Sequence, residues 1–258
     1  MLFAIAHAPL LVACSAPEAA PEAFSDAAVA AIASFDGDEA ALGEAFAALE
    51  SQVDATLDPA ASSYTERDMS PEPLPAEAVA GIVHPDRDPE DALPVALAWL
   101  SPHAPEVHDR ISLLSDLTPV EPNSPNNYDR HFDEGGDCYP ECEFLRTTND
   151  VTRENVLMSV THELKKDFRA LSMPDGREAR ASRGWMEVPG YDVDGRATIQ
   201  QSYAIEAWIE RDGGSLRLQV SWVETTFESA EYDDDMVAAT TVYGIDAQFD
   251  AHDAWLAQ

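Results

Sequence analysis

Two cysteines near the middle of this 258-residue chain, Cys138 and Cys142, are the side chains best placed for covalent chemistry. A disulfide needs Cα atoms about 4.4–6.8 Å apart, so the intervening Tyr-Pro-Glu must turn rather than extend. The neighbouring Gly135, Gly136 and Pro140 are residue types that permit such a turn. The spacing therefore predicts a disulfide. Closing so short a loop removes little entropy from the unfolded chain, about 2 kcal/mol, so its expected role is to fix the local shape.

The same segment supplies the alternative, a metal site. His131, Asp133 and Asp137 precede the cysteine pair, and imidazole together with thiolate suits zinc. Structural zinc sites usually combine two closely spaced ligand pairs, whereas only one cysteine pair is present here, so the spacing favours the disulfide. A metal bound around His131 would instead indicate a metal-assisted hydrolase.

Other patterns associated with metals or catalysis are incomplete. His162-Glu163 resembles the start of the zinc-hydrolase helix motif, but Lys166 stands where the second histidine is needed and the segment alternates like a strand. We interpret His162 as a histidine on a partly buried sheet face. The acids of residues 192–194 and 233–235 are interpreted as a hairpin turn and as a helix start. The sequence contains no serine elbow and no glycine-rich phosphate loop, so we expect no cofactor.

An aromatic cluster indicates a ligand site of another kind. Tyr203, Trp208 and Trp222 belong to two alternating segments joined by Arg-Asp-Gly-Gly, a strong hairpin signal. Ile199, Tyr203 and alternate residues up to residue 209 are predicted to share one face of this hairpin. The aromatic density predicts a ligand cleft lined by Tyr203, Trp208 and Trp222.

The beginning of the chain has the features of a targeting sequence. Residues 1–13 form an uncharged apolar run, Cys14 follows, and a Pro/Ala/Glu stretch to residue 24 can act as a tether. The run is too short to span a bilayer, which takes roughly 20 apolar residues. This order resembles the signal sequence of bacterial lipoproteins, although no Lys or Arg precedes the apolar run. The resemblance implies cleavage before Cys14, acyl chains on its sulfur as the membrane anchor, and, from Ser15, an outer-membrane location. It covers only about the first two dozen residues, and the rest of the chain resembles no family that we can name.

The charge balance excludes one class of partner. The chain has 49 acidic and 15 basic side chains, a formal net charge of −34, so nucleic acid is not expected because phosphates must be neutralised by Lys and Arg. The same balance keeps a soluble, salt-adapted acidic protein as a further alternative. The bases between Lys165 and Arg183 are concentrated in one stretch, and we expect them to pair with acids of the same chain.

Helical and strand patterns divide residues 25–258 into three segments. Residues 25–58 have apolar residues at helical spacing on either side of Asp36-Gly37, with Ser25 and Asp38 as predicted caps, which predicts a helical hairpin. Residues 59–142 are a Pro-rich loop region with short strands predicted near residues 95–99 and 110–114. Residues 143–258 alternate with period two and end in a long amphipathic segment, which predicts an antiparallel sheet with a terminal helix.

The predicted fold class is therefore α+β: a helical hairpin, a Pro-rich connector, and an antiparallel sheet of at least four strands with a C-terminal helix packed on it. This order resembles helix-grip and other ligand-enclosing sheets in shape only. The leading functional hypothesis is a non-enzymatic, membrane-anchored lipoprotein outside the cytoplasm that binds a ligand or protein of unknown identity.

Overall fold

One antiparallel sheet forms the centre of the computed structural model, which describes residues 23–56, 69, 71–155, 158–229 and 233–258. The strands are β1 (Leu93–Ser101), β2 (Tyr128–Glu134), β3 (Leu145–Glu154), β4 (Ser159–Ser172), β5 (Glu178–Trp185), β6 (Gly190–Asp192), β7 (Ala197–Arg211) and β8 (Gly214–Phe227). Within the described residues this 8-stranded sheet has the order β1-β8-β7-β5-β4-β3-β2, and the short β6 pairs with β4 and β7 beside that path.

The β7–β8 hairpin is the longest pairing and follows the sequence closely. Arg211 pairs with Gly214, and Gly213 in the turn has φ +83°, a left-handed conformation that favours glycine. Leu216, Leu218 and alternate residues up to Trp222 are buried on one face. The predicted turn and the predicted face of β8 are confirmed.

Two N-terminal helices cover that face of the sheet. The chain forms α1 (Phe24–Ala33) and α2 (Glu39–Thr56), followed by short 3-10 helices at Ala76–Val79 and Pro89–Asp91. Their apolar residues form one core with the sheet, including Phe35, Phe46 and Trp222. Asp38 accepts a hydrogen bond from the Ala40 amide at 3.0 Å, as a cap should. Ser25 is not the cap of α1, because the helix begins at Phe24 and the Ser25 hydroxyl accepts a hydrogen bond from the Glu72 amide.

The C-terminal helix packs on the opposite face. A 3-10 helix at Pro105–His108 leads into α3 (Asp109–Ser112), and the chain ends in α4 (Asp234–Leu256). Asp233 caps α4 by accepting a hydrogen bond from the Met236 amide at 3.0 Å. Ile245 and Phe249 pack against Val95 and Leu97 of β1. The sheet thus lies between the hairpin and α4, and the predicted α+β fold with a terminal helix on the sheet is confirmed. None of the described helices is both long and apolar enough to cross a bilayer.

The sheet also recruits strands from the region expected to be mainly loop. Both β1 and β2 lie within residues 59–142, so the sheet does not begin at residue 143. The strand expected at residues 110–114 is wrong, since residues 109–112 form the helical turn α3. The edge strand β2 has mostly charged, exposed side chains and is held by backbone pairing with β3, so it lacks the hydrophobic alternation that reveals a strand.

A β-bulge in β7 redirects the side chains near its start. The register shifts between Ile199 and Gln201, so Ile199 packs with Val160 and Met186, whereas Tyr203 packs with the hairpin helices. The prediction that Ile199 and Tyr203 share a face is therefore wrong. The extra residue of a bulge reverses the alternation, and composition does not reveal its position.

A candidate ligand cavity

A cavity of about 440 Å³ lies between the sheet and the N-terminal half of α4. Strands β3, β4, β7 and β8 form one wall and α4 the other. The side chains of its outer part are mainly apolar: Met158, Leu164, Met186, Ile199, Val223, Phe227, Met236 and Val237. A cavity of this size and lining matches the sites that bind small molecules in other proteins.

The bulge in β7 shapes one wall of this cavity. Because of it, Ile199 and Ser202 both line the cavity although they are an odd number of residues apart. The Met186 amide donates a hydrogen bond to the Ser202 carbonyl at 3.1 Å, which places the Met186 side chain in the wall.

A close contact between α4 and a loop narrows the cavity. The Asn123 Nδ2 atom donates a hydrogen bond to the Gly244 carbonyl at 3.0 Å. A Cβ atom on Gly244 would lie 3.2 Å from the same nitrogen, so the absence of a side chain allows this approach.

Beyond this contact the cavity continues into a polar recess of about 80 Å³. The cavity and the recess share several wall residues, among them Asn123, Arg153, Ser202 and Gly244. Further in, the walls are polar or charged side chains: Glu121, Lys166, Ser182, Glu206, Gln219, Ser221 and Gln248. The site therefore has an apolar outer part and a polar inner end.

Glu206 organises the charges of the recess. Its carboxylate accepts hydrogen bonds from Lys166 Nζ at 3.0 Å, from Arg217 Nε at 2.9 Å and from the Ser182 hydroxyl at 3.1 Å. Burial opposes ionisation of Glu206, but Lys166 and Arg217 outweigh it and hold the pKa of this carboxyl well below its usual range. Glu206 is therefore an ionised, fully engaged part of the wall.

His162 is part of the outer cavity. It lies on β4, it is buried, and its Nδ1 atom has no hydrogen-bond partner within the described residues. Burial, with a smaller contribution from the positive charge of Arg153, lowers the pKa of His162 to about 3, so the imidazole is neutral near pH 7. The expectation of a histidine on a partly buried sheet face agrees with this position, but no pattern around His162 indicates that this face borders a cavity.

The aromatic cleft expected from the sequence is not formed. Tyr203 and Trp222 are buried beneath the helical hairpin, where Tyr203 donates a hydrogen bond to Gln201 and Trp222 to the Glu72 carbonyl. Trp208 faces the other side of the sheet, beside His108. None of the three lines the 440 Å³ cavity. Aromatic density here reflects core packing on two faces, because neighbouring positions of a strand point in opposite directions.

The residues of the metal alternative do not converge. His131 Nε2 lies 3.2 Å from Asp150 on the exposed edge, Asp133 accepts a hydrogen bond from the Thr148 hydroxyl, and Asp137 is exposed. Within the described residues, no group of three or more His, Cys, Asp or Glu side chains is arranged to hold a metal ion. Cys138 and Cys142 instead form a disulfide with Cα atoms 5.6 Å apart.

The bases between Lys165 and Arg183 pair internally. Arg180 contacts Asp109 at 3.0 Å and Arg183 contacts Asp167 at 3.1 Å, while Arg177 reaches Glu50. These pairs agree with the expectation that acids of the same chain neutralise this stretch. Cys14, the predicted lipidation site, lies outside the described residues.

Comparisons with known proteins give structural likeness only. No protein-family model matches the chain, and no curated protein matches it. A STAR-related lipid transfer protein from Xanthomonas axonopodis is 11% identical, with a TM-score of 0.46, over 64% of this chain and 86% of that one. Human StAR-related lipid transfer protein 5 is 11% identical, with a TM-score of 0.42, over 85% and 97% of the two chains. The lipid transfer and protein localization domain of human StarD13 is 10% identical, with a TM-score of 0.39, over 65% and 78%.

Proposed function

We propose that this protein is a non-enzymatic binding module that takes a small, largely apolar molecule into the cavity between the sheet and α4. The observation that supports the proposal is a cavity of about 440 Å³ with methionine, aliphatic and aromatic walls, placed between two layers that pack tightly elsewhere. A ligand there would remove its own apolar surface from water, at about 25 cal/mol per Å².

The polar recess would give the ligand an orientation. The apolar part of the molecule fits the outer cavity, and a polar group fits the inner end near Ser202 and Gln219. The charged groups of the recess are engaged with one another, as the Glu206 contacts to Lys166 and Arg217 illustrate. A carboxylate held by two cations is a poor proton donor or acceptor, so this pairing supports a structural role for these side chains in the wall of the recess.

A matched pair of substitutions on β8 tests the site. Thr225 lines the cavity, whereas its neighbour Thr226 is exposed on the other face of the strand. Thr225→Phe places a phenyl ring in the cavity and should weaken binding of the neutral fluorescent probe Nile red by at least about tenfold. Thr226→Phe adds the same ring elsewhere and should leave binding unchanged. A wild-type protein that does not bind the probe, or equal binding by both variants, would contradict the proposal.

We also propose that the protein is a lipoprotein outside the cytoplasm, anchored to the outer membrane through acyl chains on Cys14. The support is the order of residue types around Cys14, together with the Cys138–Cys142 disulfide, which persists in oxidising compartments. More than one acyl chain would be needed for stable anchoring. Mass spectrometry of the mature N-terminus should show an acylated Cys14, and Cys14→Ser should move the protein from the detergent phase to the aqueous phase. A native product that retains Met1 and carries no lipid would exclude this location.

A further inference from the structure

Arg153 stands where the outer cavity meets the polar recess. It lies near the end of β3, and it contributes to the walls of both spaces. The side chain is half-buried, and its Nε atom is buried without a hydrogen-bond partner within the described residues. A guanidinium in this position presents its charge to whatever fills the cavity.

Arg153 lacks both an acid and a hydrogen-bond acceptor within the described part of the chain. Arg110 and Arg130 also have no ion pair there, but their guanidinium groups donate hydrogen bonds to backbone carbonyls. There are 49 acidic side chains for 15 basic ones, and the neighbouring cations Lys166 and Arg217 both bind Glu206. Among the described residues, Arg153 has no acid within ion-pair distance and no side-chain hydrogen bond. A buried or half-buried charge is normally paired, so an unpaired one beside a cavity indicates that its partner comes from outside the chain.

The acids closest to the cavity are already engaged. Glu206 is held by Lys166 and Arg217, Glu121 accepts a hydrogen bond from Gln248 at 2.6 Å, and Glu154 accepts from Asn126 at 3.0 Å. None of them neutralises Arg153 through a direct contact. Glu121 and Glu154 accept from neutral amides, which do not cancel a carboxylate charge, so the junction is not positive overall. Arg153 is instead a cation without a direct counter-ion among the described residues, and its guanidinium is free to bind an anionic group in the cavity.

We infer that the ligand is an amphiphile with a carboxylate group, and that Arg153 binds this carboxylate at the junction of the cavity and the recess. This inference rests on the proposed function and specifies its ligand class. Guanidinium and carboxylate match geometrically and form strong charge-assisted hydrogen bonds. The His162 Nδ1 atom, also unpartnered, lies on the same cavity wall and offers a second polar contact. The alkyl part would then occupy the outer cavity, against Met158, Ile199 and Phe227.

Two ligands of equal chain length test this assignment. Decanoate and 1-decanol should each displace Nile red from the wild-type protein, and decanoate should bind more tightly. The formal charge of −34 repels an anion at long range, so a preference for the acid requires a local cation. Arg153→Gln should weaken decanoate binding by at least about tenfold, since hydrogen bonds to charged groups contribute that much, and should leave decanol binding nearly unchanged.

Arg146→Gln is the matched control. It removes the same charge from the same strand, but Arg146 is half-buried like Arg153, does not line the cavity, and is paired with Asp36 and Glu134. It should alter binding of neither ligand. Arg153→Lys keeps the charge and should retain part of the preference for decanoate, which also covers the case in which the glutamine variant does not fold.

The outcomes separate the two claims. Equal binding of decanoate and decanol by the wild-type protein, or equal weakening of both in Arg153→Gln, would overturn the role of Arg153 and leave the cavity as a neutral apolar site. Failure of the wild-type protein to bind Nile red, decanol and decanoate would remove the proposed function itself.

Discussion

Three buried histidines, His108, His162 and His252, connect the stability of the protein to pH. Burial, followed by the nearby charge of Arg217, lowers the pKa of His108 to about 2. Burial and Arg153 lower that of His162 to about 3, and burial with Arg217 also lowers that of His252. The imidazoles of His108 and His162 are therefore neutral in the folded protein at pH values where an unfolded histidine, with a pKa of about 6.5, becomes charged, and the pKa of His252 is shifted in the same direction.

The sign of the pH effect follows from these depressed pKa values. Above about pH 6.5 neither state binds the proton and the stability is fully present, and it falls as pH drops towards the folded pKa because the unfolded chain binds more protons. His108 and His162 should each remove about 2 kcal/mol of unfolding free energy as the pH falls to about 5, and His252 contributes in the same direction. Urea unfolding at about pH 7.5 and about pH 5 measures the difference, and His162→Gln should reduce it by that amount. An unchanged difference in the variant would show that His162 is not buried as a neutral imidazole.

Residue-level prediction from sequence succeeds where chemistry is local. The spacing of Cys138 and Cys142 is sufficient to predict their pairing, because both lie in one turn. Features that depend on the tertiary structure are not predicted in this way. That Arg153 lacks an acid, and that His162 borders a cavity, depend on which strands meet, so no pattern around either residue shows it.

At the scale of elements, the short strand β6 positions the cavity wall formed by β4. Gly190 of β6 leaves no space for a side chain, because a Cβ atom there would lie 2.7 Å from His162 Cβ and 3.0 Å from Val160 Cγ1. The absence of a side chain at Gly190 thus lets β6 pair with both β4 and β7 close to His162.

Gly190→Ala is therefore expected to push β6 away from β4. Crowding of this kind should lower the unfolding free energy by about 2 kcal/mol and weaken Nile red binding, since His162 is part of the cavity wall. Gly81→Ala serves as the control, because a Cβ atom at Gly81 meets nothing within 4 Å. Urea unfolding and probe titration of both variants provide the measurements, and a Gly190→Ala protein as stable as wild type would contradict this view of β6.

Elements were predictable where hydrophobic periodicity is strong. The hairpin of α1 and α2 and the helix α4 bury one apolar face, and the helical spacing of their apolar residues follows it. The β7–β8 hairpin is buried on both faces over much of its length, but its purely apolar face under α1 and α2 still alternates along the strands. The charged edge strand β2 and the bulge near Ile199 were not predictable in this way. Strand β2 is formed by backbone pairing with β3, and the bulge is a register shift in the pairing of β7 with β8; neither depends on the hydrophobic pattern.

At the scale of the whole molecule, the two faces of the sheet differ: one carries the main hydrophobic core and the other borders the cavity. The hairpin of α1 and α2 packs an apolar core against one face, whereas α4 covers the other face only partly and leaves the cavity near its N-terminal half. Ligand binding and the main hydrophobic core are thereby kept apart. The sequence predicts α4 on the sheet, but the volume left beneath it depends on how closely α4 approaches, as at Gly244.

The formal charge of −34 makes the whole molecule sensitive to salt in a defined range. Exposed carboxylates repel one another, and the Debye length falls from about 30 Å at 0.01 M to about 10 Å at 0.1 M salt, so most of the relief should occur within this interval. We expect the urea midpoint to rise between about 0.01 M and about 0.1 M NaCl and to change less above that. Buried pairs such as Arg217–Glu206 are screened much less, so they should contribute little to this salt dependence. Loss of the native circular dichroism spectrum at about 0.01 M NaCl would instead support the salt-adapted alternative, in which a high ionic strength is a condition for folding.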